Sequence, residues 1–221
     1  MKNFFRQNII TLTKTGLFII LLGFGIFFKS IPFIIIAGSL GLLSIFEKYL
    51  RIKIPSSFSF VFVLFVILSL VLGSYGNFYE KYLWWDDMLH FSYGVGFAII
   101  GYLIIYFILF KKGIENNIFI IVAFSFCFSV AFGAIWEIFE YSMDIFFGMN
   151  MQRTIPDLGL DSVTKEILAK NYGVNDTMHD IILESLAAFV TNIYIYLYLK
   201  SEKENWIGKI TEKFLKANKK D

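Results

Sequence analysis

The chain has 221 residues, of which 57% are hydrophobic and 17% are charged, and its mean hydropathy is +0.65. This charge is too little to cover a water-soluble domain of such length while 27 Phe, 12 Tyr and 4 Trp lie inside it. The net charge of +2 gives no sign of a nucleic-acid-binding surface, so no nucleic-acid partner is expected. The composition therefore predicts an all-α, multi-pass membrane protein that is surrounded by lipid.

The N-terminus has the basic residues Lys2 and Arg6 ahead of an apolar stretch, as a signal peptide does. No A-x-A-like cleavage site follows, and further apolar segments come after it. We therefore predict that this stretch is a retained first span. The single Cys127 excludes an internal disulfide.

Six apolar segments follow in chain order, and most approach the roughly 20 residues that a membrane-spanning helix needs. The first two are the weakest, because Lys14 interrupts one and the other is short and starts near Pro32. An alternative for these two is a tight hairpin that crosses only part of the bilayer. The segments cover about residues 9–28, 31–46, 58–75, 87–110, 118–147 and 178–199.

Most of the Lys and Arg residues fall on the side of the membrane that holds the N-terminus and the tail, if there are six spans. The positive-inside rule then places both termini in the cytoplasm. Residues 1–199 form one transmembrane domain in this interpretation. Residues 200–221 form a basic tail whose apolar side chains recur at helical spacing, which indicates an amphipathic helix on an anionic leaflet or a solvated basic end.

The predicted outer loops carry two features. Tyr79, Tyr82, Trp84 and Trp85 precede the fourth span and are typical of an interfacial aromatic belt. Residues 148–176 form the long outer loop, and Val163, Ile167 and Leu168 lie there at helical spacing. This pattern predicts a short interfacial helix that covers the outer mouth as a lid, with an ordinary connector as the alternative.

Ionisable residues are concentrated in the last three spans. A carboxylate near the bilayer centre costs about 2.5–3.5 kcal/mol, so such residues normally face a cavity or a partner. Helical geometry puts each set on one face of its helix, at similar depths below the outer boundary. We therefore expect one shared pocket near the outer face. Its residues are Asp86, Asp87, His90, Glu137, Glu140, Asp144, Asp176, His179, Asp180 and Glu184.

Histidine and carboxylate side chains on facing helices are suitable ligands for a divalent metal such as zinc, manganese or iron. The candidate catalytic residues are Glu137, Glu140 and Asp180, and Arg153 in the outer loop is suited to bind an anionic substrate. The alternative is that the polar groups only hydrogen-bond one another between helices. The candidate metal ligands are Asp86, Asp87, His90, Glu140, Asp144, Asp176, His179, Asp180 and Glu184.

Four motifs in spans four to six resemble those of the YjdF-like family of bacterial and archaeal inner-membrane proteins. They are Trp85-Asp-Asp-Met-Leu-His-Phe, Trp136-Glu-Ile-Phe-Glu-Tyr, Arg153 and Asp176-Thr-Met-His-Asp-Ile. The chain is more distantly similar to the VanZ-like family, which is named for a teicoplanin-resistance protein. These resemblances imply a six-span fold with a shared polar site, and they supply no reaction.

The chain has acidic residues at three positions where the VanZ-like pattern has none. Asp87 stands where that family has Lys, Glu140 where it has Gln, and Glu184 where it has Asn. A small further departure is Ala187 in place of a usual Gly. A more acidic site favours a bound cation over any activity carried across from VanZ-like proteins.

Three functions fit these observations. The first is a metal-dependent enzyme that acts at the outer face on the head group of a lipid or isoprenoid phosphate. The second is a proton- or cation-coupled transporter, for which buried carboxylates are the usual material. The third is a non-catalytic accessory protein of envelope stress or antibiotic tolerance. The inner half of the fifth span has no acidic or basic residue, which favours a one-sided pocket and therefore the first function.

Overall fold

The structure is a computed structural model, and within the residues that it describes the chain is helical without any strand. This confirms the all-α expectation for that part of the chain. Side chains are described for the same residues except 56, 57, 70 and 162–172. The described residues are 18–20, 22–23, 25–27, 34, 37–38, 41, 44–45, 47–49, 52–114, 117–148, 150–152, 162–201 and 205–218.

Six α-helices and one π-helical segment, Ile67–Tyr75, have complete bounds in the described part. The π-helical segment continues α1 directly, so the two together form one long apolar helix. The α-helices are α1 (Ser56–Val66), α2 (Phe78–Lys81), α3 (Trp84–Lys112), α4 (Ile118–Phe147), α5 (Ser162–Ser201) and α6 (Trp206–Asn218).

Four described helical stretches are long and apolar enough to cross a membrane: Phe58–Tyr75, Trp84–Lys112, Ile118–Phe147 and Gly173–Ser201. They correspond to the third to sixth predicted segments. The predicted segments at 9–28 and 31–46 lie largely outside the described residues, where a shorter apolar helix, Phe18–Phe27, falls within the first of them. The count of six spans and the cytoplasmic placement of both termini remain predictions.

The described chain divides into two compact units, and the ionisable cluster lies in the second, Asp86–Lys209. In the first unit, the Lys53 backbone N–H donates to Asn218 Oδ1 at 2.7 Å, and Asn218 Nδ2 donates to the Lys53 carbonyl at 2.9 Å. Phe78 packs edge-on against Tyr82 and Trp85 in the same unit.

α6 is the helix predicted for the basic tail. Ile207, Thr211 and Phe214 are buried along one of its faces, while Lys209 and Lys213 are exposed on the other. The helix is therefore amphipathic, and protein covers part of its apolar face.

α4 shows the side-chain distribution of a helix in lipid. Ile135, Ile138 and Ile145 are each more than half exposed, whereas Glu137 and Glu140 are buried. Such a distribution, apolar outside and ionisable inside, is unfavourable in water and is expected where the surrounding solvent is hydrocarbon. It supports the membrane assignment independently of the composition.

The ends of α4 follow from local hydrogen bonding. Asn117 caps the first turn, because its side-chain oxygen accepts a hydrogen bond from the Ile120 N–H at 3.2 Å. Gly148 ends the helix with φ at 63°, in the left-handed region that glycine adopts most easily. These two residues set the length of the helix and hence the position of its acidic residues.

α5 is a single helix of 40 residues, about 60 Å long at 1.5 Å per residue. A membrane-spanning stretch needs only about half of that length, so α5 extends well beyond its apolar part, Gly173–Ser201. The helix predicted for residues 161–171 falls in this N-terminal extension of α5. Its role as a lid stays a prediction, because the side chains of 162–172 lie outside the description.

Small residues bring α3 close to both of its neighbours in the second unit. A Cβ on Gly94 would collide with the Glu184 backbone and with the Ala187 side chain, so α3 and α5 touch there at the level of the backbone. Ser129 of α4 donates to the Gly94 carbonyl at 3.0 Å, and Ser125 donates to the Ala98 carbonyl at 2.7 Å. These contacts fix how the three helices are arranged around the acidic cluster.

We predict that Gly94→Val lowers the free energy of unfolding by about 1–3 kcal/mol, because its side chain would force α3 and α5 apart. The measurement is unfolding of the full chain in detergent by increasing dodecyl sulfate. Gly96→Val is the matched control, since no described atom outside the local helix backbone lies within 4 Å of a Cβ built at Gly96. Equal losses in the two variants would contradict the close packing at Gly94.

Candidate functional site

His90 is the centre of the ionisable cluster. It lies early in α3, its side chain is only 6% exposed, and carboxylates from three helices surround its ring. Asp86 comes from the preceding turn of α3, Glu137 from α4, and Asp180 and Glu184 from α5. The structure therefore brings these five predicted site residues together near the end of the helices where α3 begins and α4 ends.

One ring nitrogen of His90 is engaged by Glu184. The distance from His90 Nδ1 to Glu184 Oε1 is 2.9 Å, which is a hydrogen bond between two buried side chains. An ionised Glu184 carboxylate can only accept, so with Glu184 charged the proton of this bond belongs to Nδ1. The neutral ring then has its lone pair on Nε2, which is the usual arrangement of a metal-binding histidine oriented by a carboxylate.

The other ring nitrogen faces two further carboxylates. His90 Nε2 lies 3.6 Å from Asp86 Oδ1 and 3.8 Å from Asp180 Oδ2. Asp180 is 2% exposed, and its Oδ2 makes no hydrogen bond within the described residues. A nitrogen and two carboxylate oxygens, all within 4.8 Å of one another, form a set of three donors that could hold a divalent cation.

A second donor set lies beside the first and shares Asp180 with it. His179 Nδ1 is 3.6 Å from Asp87 Oδ1 and 3.9 Å from Asp180 Oδ1. The side chains of His179 and Asp87 are 55% and 47% exposed, in contrast to the buried His90. This set therefore lies at the open edge of the cluster.

Glu137 and Glu140 lie on the buried face of α4. Glu137 is 3% exposed, its Oε1 is 3.8 Å from His90 Nδ1, and neither of its oxygens has a hydrogen bond of acceptable geometry. Glu140 accepts a hydrogen bond from Trp136 Nε1 at 2.8 Å and belongs to none of the donor sets in the described part. Glu137 is thus a buried carboxylate next to the His90 ring, and with His90 and Glu184 it forms a third donor set.

Gly133 was not singled out by the sequence pattern, yet it makes room for Glu184. A Cβ on Gly133 would overlap the Glu184 carboxylate, so α4 passes directly over this group. In the sequence, Gly133 stands one turn before Glu137 on the polar face of a membrane helix. That position is the signal from which its role could have been predicted.

The remaining predicted site residues have other positions. Asp144 accepts hydrogen bonds from the Met151 and Gln152 N–H groups at 2.6 and 3.0 Å, and so holds the chain that follows α4. Gln152 also donates to Thr177 at 2.8 Å and connects this turn to α5. Asp176 belongs to none of the three donor sets found among the described residues, and Arg153 lies outside them.

Polar side chains deeper in the second unit are bonded to helix backbone. Besides the two α4 serines, Thr191 donates to the Ala187 carbonyl and Asn192 donates to the Ala188 carbonyl, each at 2.8 Å. The Tyr93 hydroxyl likewise donates to the Phe132 carbonyl at 3.1 Å. The acidic cluster therefore opens toward one end of the helices in the described part, and these deeper groups do not extend it.

The spans themselves supply no positive side chain to balance the cluster. Residues 84–110, 118–147 and 173–199 contain no Lys and no Arg. Carboxylates in a low-dielectric site cannot all remain ionised unless cations compensate them. Protonated carboxylates, a protonated His90 or a cation from outside these spans therefore balance the charge of the cluster.

We predict that Glu184→Ala lowers the free energy of unfolding by about 1–3 kcal/mol, because it leaves the His90 Nδ1 donor buried without an acceptor. Glu184→Gln keeps an acceptor oxygen and should lose less. Thermal unfolding of both full-length variants in detergent measures the difference. A glutamine variant as unstable as the alanine variant would contradict the hydrogen bond.

Comparisons with known proteins agree with the membrane assignment. The family described as "Predicted membrane protein (DUF2238)" matches residues 10–201 of the chain. A Thermotoga maritima protein named "Uncharacterized protein" is 27% identical over 152 residues, which cover 69% of this chain and 68% of the relative. No solved structure gives a significant match.

The matched range covers the four motifs on which the family resemblance rests. The YjdF-like family and the matching family are the same, so that resemblance is confirmed, and the VanZ-like similarity stays a resemblance. The chain belongs to the membrane-protein family described as DUF2238.

Proposed function

We propose that the chain is a metal-dependent enzyme of the inner membrane that acts at the outer face on the phosphate head group of a lipid or isoprenoid. The observation that carries the proposal is the state of His90, whose Nδ1 is bonded to Glu184 at 2.9 Å while Nε2 faces Asp86 and Asp180. A histidine held in this way is prepared to bind a cation through Nε2.

In this proposal His90, Asp86 and Asp180 hold the metal ion, with zinc, manganese or iron as the ions that suit the donors. A divalent ion bound there would supply polarisation of a substrate phosphate oxygen and partial neutralisation of its charge. Arg153, which the sequence places in the outer loop, binds a second phosphate oxygen.

Glu137 is the proposed general base. It is buried and adjacent to His90, and among the described residues its oxygens make no hydrogen bond of good geometry, so a water that enters the site with the substrate can bond to it. In the reaction the water oxygen forms a bond to phosphorus while the ester P–O bond breaks. Glu137 takes the proton of the water, and Glu140 donates a proton to the departing alcohol oxygen.

The one-sided cluster favours the enzyme over the transporter. A relay across the membrane requires exchangeable polar groups along the whole length of the spans. The deeper hydroxyl and amide donors of Ser125, Ser129, Thr191 and Asn192 are instead bonded to helix carbonyls. Such groups pack helices together and provide no continuous path in the described part of the chain.

We predict that the full chain, purified in detergent and dialysed against manganese, retains tightly bound metal and that His90→Ala loses one ion per chain. Elemental analysis measures the content. Ser129→Ala is the control, because it removes a buried hydroxyl of α4 that belongs to no donor set. A wild-type protein without bound metal would remove the metal from the proposal.

The same samples distinguish a ligand-positioning role of Glu184 from a merely structural one. Glu184→Gln should weaken manganese affinity about 10–100-fold, as loss of a carboxylate behind a metal-bound histidine usually does. Titration calorimetry measures the affinity. Unchanged affinity would indicate that Glu184 acts on packing alone.

Activity is tested by phosphate release from phosphatidic acid and from farnesyl diphosphate in mixed micelles with manganese. We expect Glu137→Gln to reduce the rate by about 10²–10⁴-fold, since it removes the general base. Ion flux through vesicles that is abolished by Glu137→Gln, without any phosphate release by the wild type, would favour the transporter.

A further inference from the structure

We propose that Asp87, His179 and Asp180 bind a second divalent cation, so that the centre holds two metal ions bridged by the Asp180 carboxylate. This inference rests on the proposed function, because the first ion is the one assigned to His90. It adds a second site and narrows the substrate class to phosphate esters and diphosphates.

The geometry of Asp180 is the first argument. Its two oxygens face two different histidines, with Oδ2 at 3.8 Å from His90 Nε2 and Oδ1 at 3.9 Å from His179 Nδ1. A carboxylate that lies between two imidazole nitrogens in this way can donate one oxygen to each of two metal ions. Each ion then has its own histidine and its own aspartate from α3.

Neighbouring positions in the sequence produce this arrangement. Asp86 and Asp87 are consecutive on α3, and their side chains therefore point in directions about 100° apart. Asp86 lies against His90, and Asp87 lies against His179. On α5, His179 belongs to the second set alone and Asp180 belongs to both, so two helices supply both donor sets.

The burial of Asp180 is the second and independent argument. The side chain is 2% exposed, and Oδ2 has no hydrogen-bond partner in the described part of the chain. Leaving a buried charged acceptor unsatisfied costs more than leaving a neutral one unsatisfied. A cation at Oδ2 would remove this penalty, and it would leave Oδ1, which faces His179, as the donor for a second ion.

The exposure of the second donor set indicates what an ion bound there would do. His179 and Asp87 are about half exposed, so an ion held there keeps positions open for water and a substrate oxygen. Paired ions about 3.5–4 Å apart stabilise both the attacking and the leaving oxygen of an in-line displacement at phosphorus. Phosphate esters and diphosphates present their oxygens at a suitable spacing for such a pair.

The test uses the full chain in detergent, loaded with manganese and freed of excess metal. We expect two ions per chain for the wild type and one ion per chain for both His179→Ala and Asp87→Asn. In electron paramagnetic resonance, the wild type should give the many-line spectrum of two coupled manganese ions. Each variant should give the six-line spectrum of an isolated ion. Glu80→Gln is the control for loss of one acidic charge outside the cluster.

The possible results separate the two proposals. A wild type with one ion and an isolated-ion spectrum would overturn the second site and leave the proposed function intact. A wild type without metal would overturn both. Two ions in the wild type that persist in both variants would also overturn the assignment to Asp87 and His179. Unfolding curves of the variants verify that each is folded when its metal is counted.

Discussion

The close contact of α3 with α5 is the constraint on which the rest of the described site depends. Helices in lipid gain little from burying apolar surface against each other, so packing and buried hydrogen bonds hold them together. Gly94 permits backbone contact between the two helices, and the His90–Glu184 hydrogen bond of 2.9 Å lies beside it. Gly133 lets α4 approach the same Glu184 carboxylate. The helices α3, α4 and α5 therefore surround one imidazole ring. Their packing around this ring sets the positions of the other acidic residues.

The residues at this helix contact bear on both the stability of the fold and the chemistry of the site. Asp180 and Glu137 are almost completely buried, and each has oxygen atoms without a hydrogen bond. A structure that only packed its helices would gain stability by replacing such groups with apolar ones. Instead the unsatisfied oxygens converge on His90, in spans without Lys or Arg. Unsatisfied groups of this kind are the ones that a proton, a cation or a substrate can satisfy, and they are typical of functional sites.

Much of this fold follows from local rules that a sequence displays directly. Hydropathy and length predicted the third to sixth apolar helices, because membrane-spanning segments must satisfy their own backbone. Helical periodicity put the ten ionisable residues on defined faces at comparable depths. The rotation of one helix against another is not local, so the sequence did not indicate which nitrogen of His90 meets which carboxylate. Nor did it show that Asp144 would accept backbone N–H groups of the following turn, or that Gly133 would cover Glu184.

The two histidines differ in a way that bears on how a ligand reaches the cluster. His90 is 6% exposed and bonded to Glu184, whereas His179 is 55% exposed, with Asp87 and Asp180 oxygens 3.6 and 3.9 Å from its Nδ1. A ligand that arrives from the end where α3 begins therefore meets the exposed pair first and the oriented, buried ring afterwards. The hydroxyls deeper in α4 and α5 are already bonded to helix carbonyls, so they offer such a ligand no further step. A buried ionisable cluster with one exposed edge, backed by side chains already bonded to helix carbonyls, suits a reaction at the membrane surface better than passage across the membrane.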